Sequence, residues 1–558
     1  MAVTDIRTFD ISRRSFDQTN WLFARPVLST EWLAVLASVF FTLCCNGIFW
    51  RRLIGELHVH AGFTILIFVI IVALQAFLLG LVLTRRSAKP ILTILFIATA
   101  FAVYYMSAYK VYMDADMIRN VLHTDPREAS ELLVPGLILP LVLLGALPTL
   151  VLWRLRFQQR TLKRAAIART AFLFGSLLVV VAGAALGFKD LSAMLRNQRE
   201  LRYLVTPVNY VTSLSRVLLA SPPGVRKALV PVGEDARHLP HPPGSKPRLL
   251  VLVLGETVRA RNFGLDGYSR QTTPQLAAMN EVINFNDTRS CGTSTEVSVP
   301  CMFSPFGRHD YNESKIRSHE SLLKVLDRAG IATFWRDNQS GCKGVCAGLP
   351  FESVADRKDP GLCNDTRCMD EILLSGLDKQ FVVDGRDQVI VLHQLGNHGP
   401  AYFQRYPASF RKFTPTCDSE ELGNCTQQQI INSYDNAVLY TDHFLASTID
   451  FLKRQDAYDT GMIYVSDHGE SLGEKGLFLH GVPYSIAPEE QTHVPMVMWM
   501  SPGLADSAKL DLACLRRESG NPGSHDNLFP SILGLMDVQT SAYDRSRDLY
   551  AGCRRQSN

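Results

Sequence analysis

Arg248 to Gly255 reads RLLVLVLG and runs directly into Glu256-Thr257. An unbroken apolar run of this length, lacking the alternation of a half-solvated strand, suits a strand buried on both faces of a parallel sheet. Similar runs recur at Gln388 to His393 (QVIVLH), Gly461 to Ser466 (GMIYVS) and Val494 to Met500. Helical patterns fall between them, at Ser318 to Ala329 and Gln427 to Arg454. Strands alternating with helices predict a doubly wound α/β domain, in which ligands collect beyond the carboxyl ends of the strands.

The residues just past those ends are Glu256-Thr257, then His393 to His398 (HQLGNH), then Asp467-His468-Gly469-Glu470. Taken singly, a Glu after a strand is usually a cap or a solvated residue, and a lone His is usually structural. Three strand ends carrying carboxylates and imidazoles along one edge point instead to a divalent transition metal, zinc first, in a site with an open position. Between the first two strands lies CGTSTEVSVPC, Cys291 to Cys301. Small and hydroxyl residues between two cysteines predict a short loop entering a helix. Amides at a helix start bind phosphate oxygens, and a metal beside a hydroxyl lowers its pKa and makes it nucleophilic. A plain surface Ser/Thr loop would carry the same letters.

Outward from this domain the composition changes. The chain has 558 residues, a net charge of +4, 47% hydrophobic and 20% charged residues. Those values exclude a disordered chain, and the even charge balance gives no reason to expect nucleic acid. The apolar residues are segregated, however. Five charge-free stretches are long enough to span a bilayer: Trp32 to Trp50, Ala61 to Thr84, Pro90 to Tyr109, Leu132 to Trp153 and Thr170 to Phe188. Arg7, Arg13, Arg14 and Arg25 precede the first, Arg85, Arg86 and Lys89 follow the second, and Arg154 to Arg169 carries six cations after the fourth. Placing those loops in the cytoplasm sends everything after residue 188 across the inner membrane. Ten of the twelve cysteines lie after residue 290, as disulfides in an oxidising compartment would require, with nearest-neighbour pairing the simplest arrangement.

Lys189 to Ala220 is amphipathic and rich in Arg, as a helix or two on a membrane surface would be. Ser221 to Pro247 is dense in proline and glycine and reads as an extended linker. The expected organisation is a five-span membrane domain (1–188), bridging helices and linker (189–247), and a catalytic α/β domain (248–558).

Several spaced motifs carry a specific resemblance. Gly255-Glu256-Thr257, CGTST at 291–295 followed by VSVPCMFS, SGCKGVC at 340–346, NHGP at 397–400, SDHGESLGEKGLFLHG at 466–481 and THVP at 492–495 resemble the phosphoethanolamine transferases that modify lipid A. That family includes the transferable colistin-resistance enzymes and belongs to the alkaline phosphatase/sulfatase superfamily. The resemblance spans the whole chain. It implies a five-helix transmembrane domain plus a periplasmic α/β domain with a mostly parallel sheet flanked by helices.

The resemblance also implies roles. Glu256, Asp467 and His468 match zinc ligands, with Thr295 as the metal-bound nucleophile that becomes phosphorylated; Ser294 and Thr293 are competing hydroxyls. His398 and His480 match catalytic histidines at the substrate phosphate, where a second zinc can join the tightly bound one. Ser340 and Lys343 match contacts to the phosphoethanolamine group. Asn120, Thr124 and Glu128, four residues apart and so expected on one helix face, match the trio that binds the ethanolamine head. The donor would be phosphatidylethanolamine and the acceptor lipid A within lipopolysaccharide, with polymyxin resistance as the outcome. A membrane-embedded monomer without nucleic-acid partners is expected. A relative acting on core oligosaccharide or another glycan shares these motifs. A membrane-bound phosphodiesterase or sulfatase is a further alternative, although CGTST lacks the CxPxR-type motif of sulfatases. A zinc-stabilised sensor would need a closed metal site with no hydroxyl beside it.

Overall fold

The computed structural model describes residues 25–56, 59–220, 228–241, 244–364, 367–382 and 384–555. Arg7, Arg13 and Arg14, and the linker stretches 221–227 and 242–243, lie outside the described residues. The chain forms two compact units: residues up to Ala100 with Pro140–Met194, and Phe101–Leu139 with Leu195 onward. The segment between the third and fourth apolar runs therefore clusters with the catalytic half, unlike a division drawn along the chain at residue 188.

Ala61–Val82, Ala88–Tyr109, Pro135–Arg154 and Leu162–Leu186 are long and apolar enough to cross a membrane. The run expected as a first straight span is instead two helices, Thr30–Cys44 and Gly47–Gly55, bent by 57°. The cause lies at Asn46, whose Nδ2 donates to the Phe41 carbonyl at 2.8 Å and so competes for the helix's own acceptor. Counted as one span, the bent pair brings the total to five. Within Pro135–Arg154 a π-helical stretch, Leu141–Ala146, precedes Pro148, where the backbone lacks a donor. Gly183 and Gly187 form a small-residue stripe against Ala61–Val82. A Cβ would meet Ile70 at 2.7 Å or Leu66 at 2.6 Å, which is how such stripes permit close helix approach.

The second unit is built on an eight-stranded sheet: β1 (Arg248–Gly255), β2 (Ile283–Arg289), β3 (Ala332–Asp337), β4 (Phe351–Ser353), β5 (Gln388–His393), β6 (Asp459–Ser466), β7 (His493–Met500) and β8 (Gly523–Ser524). Their order across the sheet is β8-β2-β7-β6-β1-β5-β3-β4. Only β7 runs antiparallel to its neighbours, as an antiparallel partner of β2 and β6. β1, β5 and β6 are buried along their whole length, in accord with their unbroken apolar sequence. Register fixes what meets at the carboxyl edge: Gly255 opposes Ser466, Leu254 opposes His393, and Asp337 opposes His393. The carboxyl ends of β1, β2, β3, β5 and β6 thus open on one side.

A flanking helix ties down that edge. The helix Gln427–Lys453, started by a Thr426–Gln429 capping box, sends the Tyr434 hydroxyl to donate to the Thr257 carbonyl at 2.6 Å and to accept from the Arg259 amide at 3.0 Å. Five disulfides, 291–301, 342–346, 363–368, 417–425 and 514–553, follow nearest-neighbour pairing, and Cys44 and Cys45 take no part in a disulfide.

Candidate active site

Glu256 follows β1, and Asp467 and His468 follow β6; all three are fully buried. Asp467 Oδ1 accepts from the amides of Thr257 (3.1 Å) and His468 (2.7 Å), which leaves Oδ2 to face the His468 ring. His468 Nδ1 lies 2.9 Å from the Gly469 carbonyl. That acceptor keeps Nδ1 protonated and turns Nε2 toward the carboxylates. Nε2 is 3.4 Å from Glu256 Oε1 and 3.3 Å from Asp467 Oδ2.

The third contributor comes from beyond β2. The CGTST loop enters the helix Thr295–Met302, closed by the Cys291–Cys301 disulfide. Its hydroxyls are not equivalent. Thr293 Oγ1 donates to the Val482 carbonyl at 2.7 Å. Ser294 is the N-cap and borders a cleft with Asn120 and Gly481. Thr295 Oγ1 alone of the three reaches the acidic cluster, 2.9 Å from Glu256 Oε2 and 3.4 Å from His468 Nε2.

The donors fit a tetrahedral zinc. Bonds of 2.0–2.2 Å separate such ligands by roughly 3.3 Å, and the spacings here run from 2.9 to 3.4 Å. The electrostatics agree. Burial pushes the Asp467 carboxyl up and the neighbouring Glu256 carboxylate adds to that, whereas His468 holds Glu256 down against the same burial. Burial opposes charge on His468, but Asp467 and Glu256 outweigh it and hold the imidazole above its ordinary value. Asp467 Oδ2 is buried with no hydrogen-bond donor among the described residues. A cluster with more acceptors than donors is completed by a cation.

His398 and His480 flank the cluster. Their rings are 5.4 Å apart, and the His480 ring is 4.4 Å from that of His468. Burial lowers both imidazoles; on His398 the carboxylates of Glu128, Glu256, Glu131 and Glu470 prevail and raise it, while His480 stays low. Lys343 Nζ donates to Ser340 Oγ at 2.6 Å and lies 4.0 Å from Glu296 Oε2. Asn120, Thr124 and Glu128 do not share one helix face. The helix Ala115–His123 ends before Thr124, a new one runs Pro126–Glu131, and Glu128 sits in the second. Pro126 forces this break, because the residue before a proline is driven out of the helical region. Thr124 Oγ1 turns back to the Asn120 carbonyl at 2.7 Å. Glu128 Oε1 accepts from Gln339 Nε2 at 3.0 Å, beside a cavity of about 110 Å³.

Some supporting residues carry no sequence signal. Arg405 bridges the His398 carbonyl (2.6 Å) and Glu131 (2.6 Å). His525 holds the nucleophile loop by accepting from the Cys291 amide at 3.1 Å and donating to the Ser466 carbonyl at 2.9 Å. Glu470, by contrast, is a strand-end carboxylate the sequence already marks, and it lies 3.4 Å from His480 Nδ1.

Comparison with known proteins accords with this arrangement. Residues 248–538 match the sulfatase family model, and residues 70–221 match the model for phosphoethanolamine transferase EptA/EptB. The chain is 40% identical to phosphoethanolamine transferase EptA of Salmonella typhimurium, covering 96% of this chain and 98% of that one. It is 37% identical to the phosphatidylethanolamine transferase Mcr-1 of Escherichia coli, covering 91% and 94%. The solved integral membrane protein lipooligosaccharide phosphoethanolamine transferase A of Neisseria meningitidis superposes with a TM-score of 0.89 at 37% identity, covering 95% of this chain and all of that one. With a sulfatase-type sheet carrying this edge and a helical membrane region before it, the chain belongs to the EptA-type phosphoethanolamine transferases.

Proposed function

We propose that the protein transfers phosphoethanolamine from phosphatidylethanolamine to a phosphate of lipid A at the periplasmic face of the inner membrane, through a covalent phosphoethanolamine–Thr295 intermediate. The observation that carries this reading is the 2.9 Å contact between Thr295 Oγ1 and Glu256 Oε2, with the hydroxyls of Thr293 and Ser294 directed elsewhere.

Glu256, Asp467, His468 and Thr295 would hold zinc, which supplies Lewis acidity and lowers the pKa of the threonine hydroxyl. Thr295 Oγ1, its proton released to solvent, attacks phosphorus. The bond to the diacylglycerol oxygen breaks, and that oxygen takes a proton from His398. A lipid A phosphate oxygen then attacks the same phosphorus, the Oγ–P bond breaks, and Thr295 recovers its proton. Lys343 offsets charge on the non-bridging oxygens, and neutral His480 donates a hydrogen bond to them. Ser340 orients Lys343. Glu128, with Asn120 and Thr124, receives the ethanolamine cation. Capping an anionic phosphate with a cationic group lowers surface charge and so weakens attraction of polymyxin and other cationic peptides.

Intact-mass analysis of the purified protein should show a phosphoethanolamine adduct, and Thr295→Ala should abolish it together with transfer. Lipid A from cells expressing the protein should gain the mass of one phosphoethanolamine group. Gain on core sugars with unmodified lipid A would move the acceptor; transfer by Thr295→Ala would reject the nucleophile.

A further inference from the structure

At the opposite, amino-terminal edge of the sheet, His238 and His241 converge on Asp387. His238 lies on a short strand, Arg237–His238, that pairs with Val538–Gln539. Asp387 immediately precedes β5, and its side chain is 1% exposed. Its carboxylate is oriented by the Arg248 amide, which donates to Oδ1 at 2.8 Å. His241 Nε2 lies 2.9 Å from Asp387 Oδ2, and His238 Nε2 lies 3.2 Å from the same oxygen. The His238 nitrogen is buried and makes no hydrogen bond among the described residues, so its 3.2 Å approach is off the line of an N–H donor. All three ligand atoms lie within 4.8 Å of one another.

We propose that His238, His241 and Asp387 form a second divalent-metal site, of the two-histidine, one-carboxylate type that suits zinc, with its fourth position open to solvent. Two imidazoles aimed at one carboxylate oxygen compete as proton donors but cooperate as lone-pair donors. Their distances to the Asp387 oxygen, 2.9 and 3.2 Å, are within half an ångström of the roughly 3.3 Å expected between tetrahedral zinc ligands. The six residues of β5 place this site about 20 Å from the catalytic edge, so the two metals would not share ligands. The role is structural. Asp387 stands well over a hundred residues beyond both histidines, and a metal would pin the segment leading into β1 to the base of the sheet, adding its binding free energy to the stability of the folded state.

The test uses full-length protein in detergent with the catalytic ligands removed by Asp467→Asn and His468→Gln. Titration with Co²⁺ should give one equivalent of a tetrahedral visible absorption band that Zn²⁺ displaces. Adding His238→Gln and His241→Gln should abolish the band. Asp387→Asn, which keeps an acceptor for the Arg248 amide, should weaken binding at least tenfold and stands in if the double histidine variant does not fold. In a chain with intact catalytic ligands, His238→Gln/His241→Gln should retain transfer while losing one metal equivalent. Absence of any Co²⁺ band, or a band indifferent to these substitutions, would show an ion pair only and overturn the proposal.

Discussion

Glu296 Oε1 lies 2.9 Å from His123 Nδ1, so the residue following Thr295 is fastened to the last residue of the helix Ala115–His123. The same carboxylate accepts from Arg317 at 2.7 Å, and its Oε2 lies 4.0 Å from Lys343 Nζ. One buried side chain thus links the start of the nucleophile helix to the segment leading to Glu128 and to the Ser340–Lys343 loop. Misplacement of a reacting group by an ångström is enough to lose one to two orders of magnitude in rate. Glu296→Ala is therefore expected to slow adduct formation by on the order of tenfold while leaving metal content unchanged, read by single-turnover intact mass and by metal analysis. Loss of metal in that variant would mean that Glu296 supports the cluster itself.

The three hydroxyls of CGTST make separable predictions. Thr293→Val deprives the buried Val482 carbonyl of its donor and should cost about 1–2 kcal/mol of stability. It should still form the covalent adduct, as should Ser294→Ala, because neither hydroxyl faces Glu256. Mass spectra lacking the adduct in Ser294→Ala would relocate the nucleophile.

Much of the catalytic edge was legible because it follows from strand chemistry. β1, β5 and β6 are buried on both faces, so their sequences are unbroken apolar runs whose ends can be read to the residue. β2 and β3 escaped notice for the converse reason: INFNDTR and ATFWRD mix polar and apolar residues, and both lie nearer the sheet margins, where one face is less enclosed. Cysteine pairing followed from proximity in sequence. The kink at Asn46 and the break at Pro126 depend on single side chains acting against a periodicity that otherwise reads as continuous helix. Arg405 and His525 were invisible because their partners, backbone groups and for Arg405 also the Glu131 carboxylate, are brought close only by the fold.

Gly396 places a further constraint on the metal cluster. It adopts φ +55°, and a Cβ there would lie 2.7 Å from the Glu256 carbonyl oxygen and 2.9 Å from Glu256 Cβ. Both the left-handed backbone and the close approach demand glycine. Gly396→Ala should displace Glu256, leaving less than about a tenth of the wild-type metal and depressing transfer at least as much, as metal analysis of purified protein would reveal. Wild-type metal content in Gly396→Ala would show that the Glu256 backbone yields without moving its carboxylate.

His525 makes stability depend on pH in a defined direction. Burial pushes its imidazole down to about 4, against the opposing hydrogen bond to Ser466, whereas in the unfolded chain a histidine titrates near 6.5. Above 6.5 the group is neutral in both states and its contribution is complete. Between 6.5 and about 4 the unfolded chain takes up a proton that the folded protein refuses, so stability falls as pH falls; below 4 both states are protonated and the loss stops. The full effect is on the order of 3 kcal/mol. His525→Gln removes the titrating group, and every other titration is common to both proteins. The variant should be less stable than wild type at pH 7, because the Cys291 and Ser466 contacts are disturbed, and that gap should narrow steadily as the pH is lowered towards 4.5. Thermal midpoints of the two proteins across this range give the comparison; a gap independent of pH would show that His525 titrates alike in the folded and unfolded protein and holds the loop in some other way.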